Sequence, residues 1–154
     1  MEGSNKPSIV EMSQILSHLP IFSGVNFHEL QMLANECSVI TLGPNEEVIK
    51  KGEIGQTLYA IMKGKVNFSL TNSNQEQVHI DTMHPGDSFG EIGIFKKIPR
   101  LACITTETPC TFLTITAQDF LKVYQYFTPF SRDNIQAIIA KRLALIHQES
   151  EKLL

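Results

Sequence analysis

The chain has 154 residues, a formal net charge of -3 at pH 7, 42% hydrophobic residues and 19% charged residues. That is one domain with the balance of a soluble globular protein, and its acidity argues against a nucleic-acid-binding surface. No apolar run approaches the roughly 20 residues that span a bilayer, and Cys37, Cys103 and Cys110, odd in number and without CxxC spacing, read as reduced, partly buried thiols of a cytoplasmic protein.

In chain order, residues 1–7 are polar and expected to be loose, and the stretch MEGSNKPSIVEMSQ lacks the charged and apolar regions of a secretory leader. Ile9, Met12, Ile15, Leu16 and Leu19 recur at helical spacing, which predicts a helix over Ser8–Leu19 ended by Pro20. Asn26 and Glu29 form a capping-box pair ahead of Leu30, Leu33, Ala34 and Cys37, a second short helix. From Val39 the pattern changes to short β-branched runs separated by Gly, Asn and Pro turns. The expected strands are Val39–Leu42, Glu47–Lys50, Leu58–Lys63, Lys65–Leu70, Gln77–Met83, Ala102–Thr106 and Thr111–Thr116. Strands this short and closely spaced build a compact antiparallel sandwich or barrel. Helical periodicity returns at Ala117–Phe127. Thr128-Pro129 then gives an N-cap and a first-turn proline for a long C-terminal helix reaching toward Lys152. The expected class is therefore mainly β with flanking α-helices.

The run from Phe89 to Ala102, FGEIGIFKKIPRLA, carries the chemistry. Gly90 lets backbone approach a ligand closely. The first amides of a helical turn lack intrahelical partners and face an anion, to which Arg100 adds a planar fork of donors. Glu91, acceptor-only when ionised, takes a hydroxyl proton. The combination suits a ligand with both a negative charge and a hydroxyl. An ordinary surface ion pair between Glu91 and Arg100 is the plain alternative, worth about 0–1 kcal/mol.

This run resembles the phosphate-binding cassette of cyclic-nucleotide-binding domains. It matches at Phe89, Gly90, Glu91, Ile92, Gly93, Ile94, Pro99, Arg100 and Ala102. Further matches at Gly52, Glu53, Leu58, Tyr59, Ile61 and Gly64, and in PGDSFGE from Pro85, extend the resemblance over roughly residues 15 to 150. It implies a jelly-roll-like antiparallel β-roll over 38–116 with the cassette at 89–102, N-terminal helices over 8–37 and C-terminal helices over 117–154. In the family pattern Glu91 holds the ribose 2′-hydroxyl and Arg100 the cyclic phosphate. Amides near Gly90–Ile92 and after Arg100, at Leu101 and Ala102, complete the cradle.

The run IAKRL at Ile139–Leu143 resembles the corresponding helix of bacterial cAMP-receptor regulators. That register puts Ile146 and His147 against the base and Phe68 on the pocket wall. A hydroxyl after the arginine favours guanine in the family. Leu101 has none, so cAMP is expected over cGMP. The resemblance implies a non-catalytic regulatory or sensor module without cofactor or metal, which signals to a protein effector by movement of the C-terminal helix. Ile135, Ile138 and Leu145 offer a partial seam for a homodimer, interrupted by Arg142 and Glu149. No DNA-reading element follows that helix in this sequence.

Two other readings compete. A degenerate β-roll would keep the fold for protein interaction and lose its ligand. A cupin-like protein would use His79, His84 and Glu91 for a metal, but two histidines five apart face opposite ways on a regular strand. Cys103 reads as a small core residue, Lys96 and Lys97 as a solvated loop pair, and His18 and His28 have no partners at ligand spacing.

Overall fold

The computed structural model describes residues 6–50, 52, 55–96 and 102–154. Two helices open the chain. In α1 (Ile9–Ser17) the Ser8 hydroxyl caps Glu11 N–H while the Glu11 carboxylate accepts from Ser8 N–H. The helix stops two residues short of Leu19, because Pro20 opens a separate 3-10 turn over Pro20–Phe22. Helix α2 (Phe27–Ala34) starts on the expected Asn26–Glu29 capping box.

Eight strands follow: β1 (Ser38–Leu42), β2 (Glu47–Ile49), β3 (Thr57–Lys63), β4 (Val66–Thr71), β5 (Gln77–Met83), β6 (Ser88–Phe89), β7 (Cys103–Thr106) and β8 (Cys110–Thr116). They form two antiparallel four-stranded sheets ordered β1-β8-β3-β6 and β2-β7-β4-β5. Helix α3 (Glu91–Phe95) interrupts the strands after β6, and α4 (Ala117–Tyr124) and α5 (Pro129–Glu151) close the chain. This is the β-roll expected from the sequence. Only β6 was not foreseen. It is two residues long and exists through its pairing of Phe89 with Tyr59 and Ser88 with Ala60.

Strand periodicity divides the apolar residues between two cores. Tyr59 and Ile61 of β3 and Phe112 of β8 point into the roll, where they meet Ile49, Val66, Phe89 and Ile104. The rings of Tyr59 and Phe89 stack at 5.0 Å and both meet Phe112 edge-on at 5.7 Å. The alternate residues, Leu58 and Ala60 of β3 with Leu113 and Ile115 of β8, face the helices and bury Met12, Leu16, Leu33 and Phe120.

Helix α4 tightens at its end, with Tyr126 and Phe127 N–H groups bonding the carbonyls three residues back, and it tucks Phe127 into the core. Thr128 then caps α5 through Ser131 N–H, with Pro129 in the first turn. One carboxylate joins this start to the N-terminal helices. Glu29, 3% exposed, accepts from Asn26 N–H at the head of α2 and from Thr128 N–H and Ser131 Oγ at the head of α5. Helix α5 runs 23 residues, about 35 Å. Its far end is held by the β4–β5 turn, where Ser73 N–H donates to the Leu153 carbonyl at 3.1 Å. Ile135 is 0% exposed inside this chain's own core and Ile138 packs partly against it, so the expected dimer seam loses its first member to the fold. Among the described residues no helix is long and apolar enough to cross a membrane.

Candidate functional site

The site begins where β6 turns into α3. Gly90 takes φ 97°, in the left-handed region, and a Cβ there would collide with the Thr57 carbonyl oxygen. Only glycine fits that crossing. The turn delivers Glu91 into the gap between the roll and α5, with its side chain pointing inward and 5% of the residue exposed. The amides of the first turn of α3 have no intrahelical acceptor.

Glu91 is used unequally. Its Oε1 accepts from Arg142 Nη1 of α5 at 2.6 Å, while its Oε2 is buried with no hydrogen-bond partner among the described residues. The same Nη1 lies 3.5 Å from the Ser88 carbonyl oxygen, and Ser88 Oγ is also buried without a partner among the described residues. Burying an unmatched carboxylate oxygen costs free energy that a ligand hydroxyl would recover.

Both Glu91 and Arg142 line a cavity of about 290 Å³. Ile49, Phe68, Met83, Phe89 and Ile104 form its apolar roll wall, and Gly90, Glu91, Ile92, Gly93 and Ala102 form the cassette side. Helix α5 covers it with Arg142, Leu145, Ile146 and Glu149, spaced i, i+3, i+4 and i+7 on one face. Ile80 and Asp81 of β5 and Ser88 of β6 also line it.

Of the residues singled out in the sequence, Phe68, Phe89, Gly90, Glu91, Ile92, Ala102 and Ile146 come together around this cavity. His147 does not. It follows Ile146 by one position, so the helix turns it about 100° away, and it lies exposed outside the lining. Arg100 and Leu101 lie outside the described residues. Sequence reasoning missed Arg142, Leu145 and Glu149 as site residues. It set Leu145 in a dimer seam with Arg142 and Glu149 as its interruptions. The available signal was helical spacing from Ile146: four residues back is Arg142 and three forward is Glu149.

His79 and His84 are exposed, and His79 Nε2 bonds Thr82 Oγ1 at 3.0 Å. Among the described residues there is no group of three or more His, Cys, Asp or Glu that could hold a metal ion. The cysteines are buried and unbridged. Burial pushes the Cys37 thiol up to about 12 and also raises that of Cys110, so neither is a nucleophile near neutral pH. Cys103 Sγ accepts from Gln77 Nε2 at 3.5 Å.

The cyclic nucleotide-binding domain model matches residues 39–127, more than half of the chain. A CRP-like cAMP-activated global transcriptional regulator of Mycobacterium tuberculosis is 28% identical over 132 residues, covering 86% of this chain and 58% of that protein. The chain therefore spans less than two thirds of that regulator. Among solved structures, the regulatory domain of Toxoplasma gondii PKA with cAMP aligns with a TM-score of 0.76 at 17% identity, over 88% of this chain and 49% of that one. A regulatory subunit of a cAMP-independent protein kinase A from Trypanosoma cruzi, bound to guanosine, aligns with a TM-score of 0.70 at 23% identity, over 80% and 44%. Likenesses at this identity show the fold. The match of the family model, over a roll that carries this cassette, shows that the chain belongs to the cyclic nucleotide-binding domain family.

Proposed function

We propose that this domain binds a 3′,5′-cyclic nucleotide, cAMP in preference to cGMP, and acts as a non-catalytic sensor that reports occupancy to a protein effector through α5. The observation that carries the reading is Glu91 Oε2, a buried acceptor on the wall of the cavity without a partner among the described residues. A ribose 2′-hydroxyl supplies the missing donor. The cyclic phosphate sits against the amides that follow Gly90, with Arg100 as countercharge by the family pattern. The apolar walls at Phe68, Met83, Leu145 and Ile146 suit the faces of a purine.

Arg142 gives the proposal its output. A ligand shifts a conformational equilibrium only through contacts that differ between the states. Helix α5 contributes four lining residues and the partner of Glu91, so a ligand gains more from the state in which α5 covers the cavity. The guanosine-bound relative means that the fold alone does not choose the base. The preference for cAMP rests on Leu101, which has no hydroxyl for guanine.

Calorimetric titration with cAMP, cGMP and 2′-deoxy-cAMP tests the proposal. Glu91→Ala should weaken cAMP binding about 10- to 100-fold, the value of a hydrogen bond to a charged group, and close the gap between cAMP and its 2′-deoxy analogue. Native protein that gives no binding heat with any of the three would overturn it.

A further inference from the structure

Strand β6 carries a buried polar atom to which the cassette pattern gives no role. Ser88 is 1% exposed, and its Oγ has no hydrogen-bond partner among the described residues. It pairs across the sheet with Ala60, whose side chain belongs to the core shared with Ile135 and Ile139 of α5. Residues directly opposite in an antiparallel ladder project on one face, so Ser88 stands on the side that α5 covers. A buried hydroxyl without a partner destabilises the domain, and alanine would occupy the same place without that penalty.

The second orphaned atom lies three residues on. Glu91 Oε2 is buried and likewise has no partner among the described residues. Both residues line the cavity, and both meet Arg142 Nη1, which is 2.6 Å from Glu91 Oε1 and 3.5 Å from the Ser88 carbonyl oxygen. Ser88 Oγ and Glu91 Oε2 do not bond each other, so a third group is needed to satisfy both. Their chemistry defines it. An ionised carboxylate only accepts, while the serine hydroxyl has a proton to give. The group between them donates one proton and offers one lone pair, as an alcohol does. A phosphate or carbonyl oxygen offers only lone pairs, and the amino group of a purine offers only protons.

We infer that Ser88 is a sugar-recognition residue of the site, its Oγ donating to the ribose 2′-hydroxyl oxygen whose proton Glu91 Oε2 accepts. The inference rests on the cyclic-nucleotide reading and deepens it, by giving the sugar hydroxyl a second partner. Because Arg142 holds Oε1, the hydroxyl takes Oε2 without breaking the ion pair. A buried water has the same capacity to donate and accept, but it would satisfy Ser88 in the empty domain as well. A ribose does so only in the complex.

The test is Ser88→Ala, followed by thermal unfolding of the ligand-free protein and by calorimetry with cAMP and 2′-deoxy-cAMP. The ligand-free variant should melt about 2–6 °C above native protein, because an unsatisfied buried hydroxyl has been removed. It should bind cAMP about 5- to 30-fold more weakly, since the penalty it no longer carries is the one the ribose relieves, and bind 2′-deoxy-cAMP within about twofold of native. A merely structural serine would not raise stability and lower ribose preference together when removed. A ligand-free variant that melts at or below the native temperature shows Ser88 Oγ already satisfied, as by water, and overturns the inference. A ratio of cAMP to 2′-deoxy-cAMP affinity that is the same in native protein and Ser88→Ala also overturns it. In either case cAMP binding by native protein leaves the cyclic-nucleotide reading standing. Native protein that binds neither nucleotide overturns both.

Discussion

Replacing Arg142 by Met keeps the length and helix preference of the side chain and removes its charge. It leaves neither carboxylate oxygen of Glu91 with a partner among the described residues. Breaking a fully buried pair by removing one partner costs roughly 3–5 kcal/mol. Here the Glu91 side chain is 6% exposed but that of Arg142 is 24% exposed, so water already reaches one side of the pair. We discount the cost to about 2–3 kcal/mol. With a urea dependence of about 2 kcal/mol per molar for a domain of this size, the unfolding midpoint should fall by about 1–1.5 M. Glu91→Gln alone should cost less, because the freed guanidinium can turn to solvent. A double-mutant cycle of the two changes should return a coupling of about 1.5–3 kcal/mol. A coupling below about 0.5 kcal/mol would refute the argument, since the 2.6 Å contact would then contribute no more than a surface pair.

Arg100→Ala should weaken cAMP binding at least about 100-fold, the loss expected on removing one partner of a desolvated ion pair, and an unchanged dissociation constant would rule out its role. Gly90→Ala, forced to φ 97° with its Cβ against the Thr57 carbonyl, should lower stability by about 2–4 kcal/mol and the melting temperature by about 5–12 °C. A melting curve that overlays the native one would contradict that geometry. Burial raises the Cys37 thiol from 9.0 to about 12, so the unfolded chain loses this proton first as pH rises. Its contribution is fully present below pH 9 and is lost between pH 9 and 12, which chemical unfolding of Cys37→Ala against native protein across that window will show as a narrowing difference.

The parts of this fold written in local chemistry were legible. The Asn26–Glu29 capping box and the Thr128-Pro129 start depend on residues three or four apart, and β5 was legible over Gln77–Met83 because turn residues bound it on both sides. What local chemistry does not encode was missed. Strand β6 is defined by its partner in β3, nearly 30 residues earlier. Leu19 looks helical because it is buried, yet it lies beyond the end of α1. The site shows the same division. Gly90 and Glu91 announce themselves by adjacency within a motif. Arg142 and Glu149 acquire meaning only from the rotational setting of α5 against the roll, which depends on packing at Ile135 and Ile139. A polar residue on a half-exposed helix reads as solvent-facing until that setting is known, and the same uncertainty placed His147 one position off the cavity face.

The shared carboxylate of Glu29 has a mechanical corollary. Because it fastens the heads of α2 and α5 together, any swing of the covering helix about Thr128 drags the amino-terminal pair along as one lever. Under the proposed sensor reading, a shift of that helix would therefore reach the amino-terminal helices, and a fluorophore attached ahead of Ile9 would gauge what happens beside Leu145.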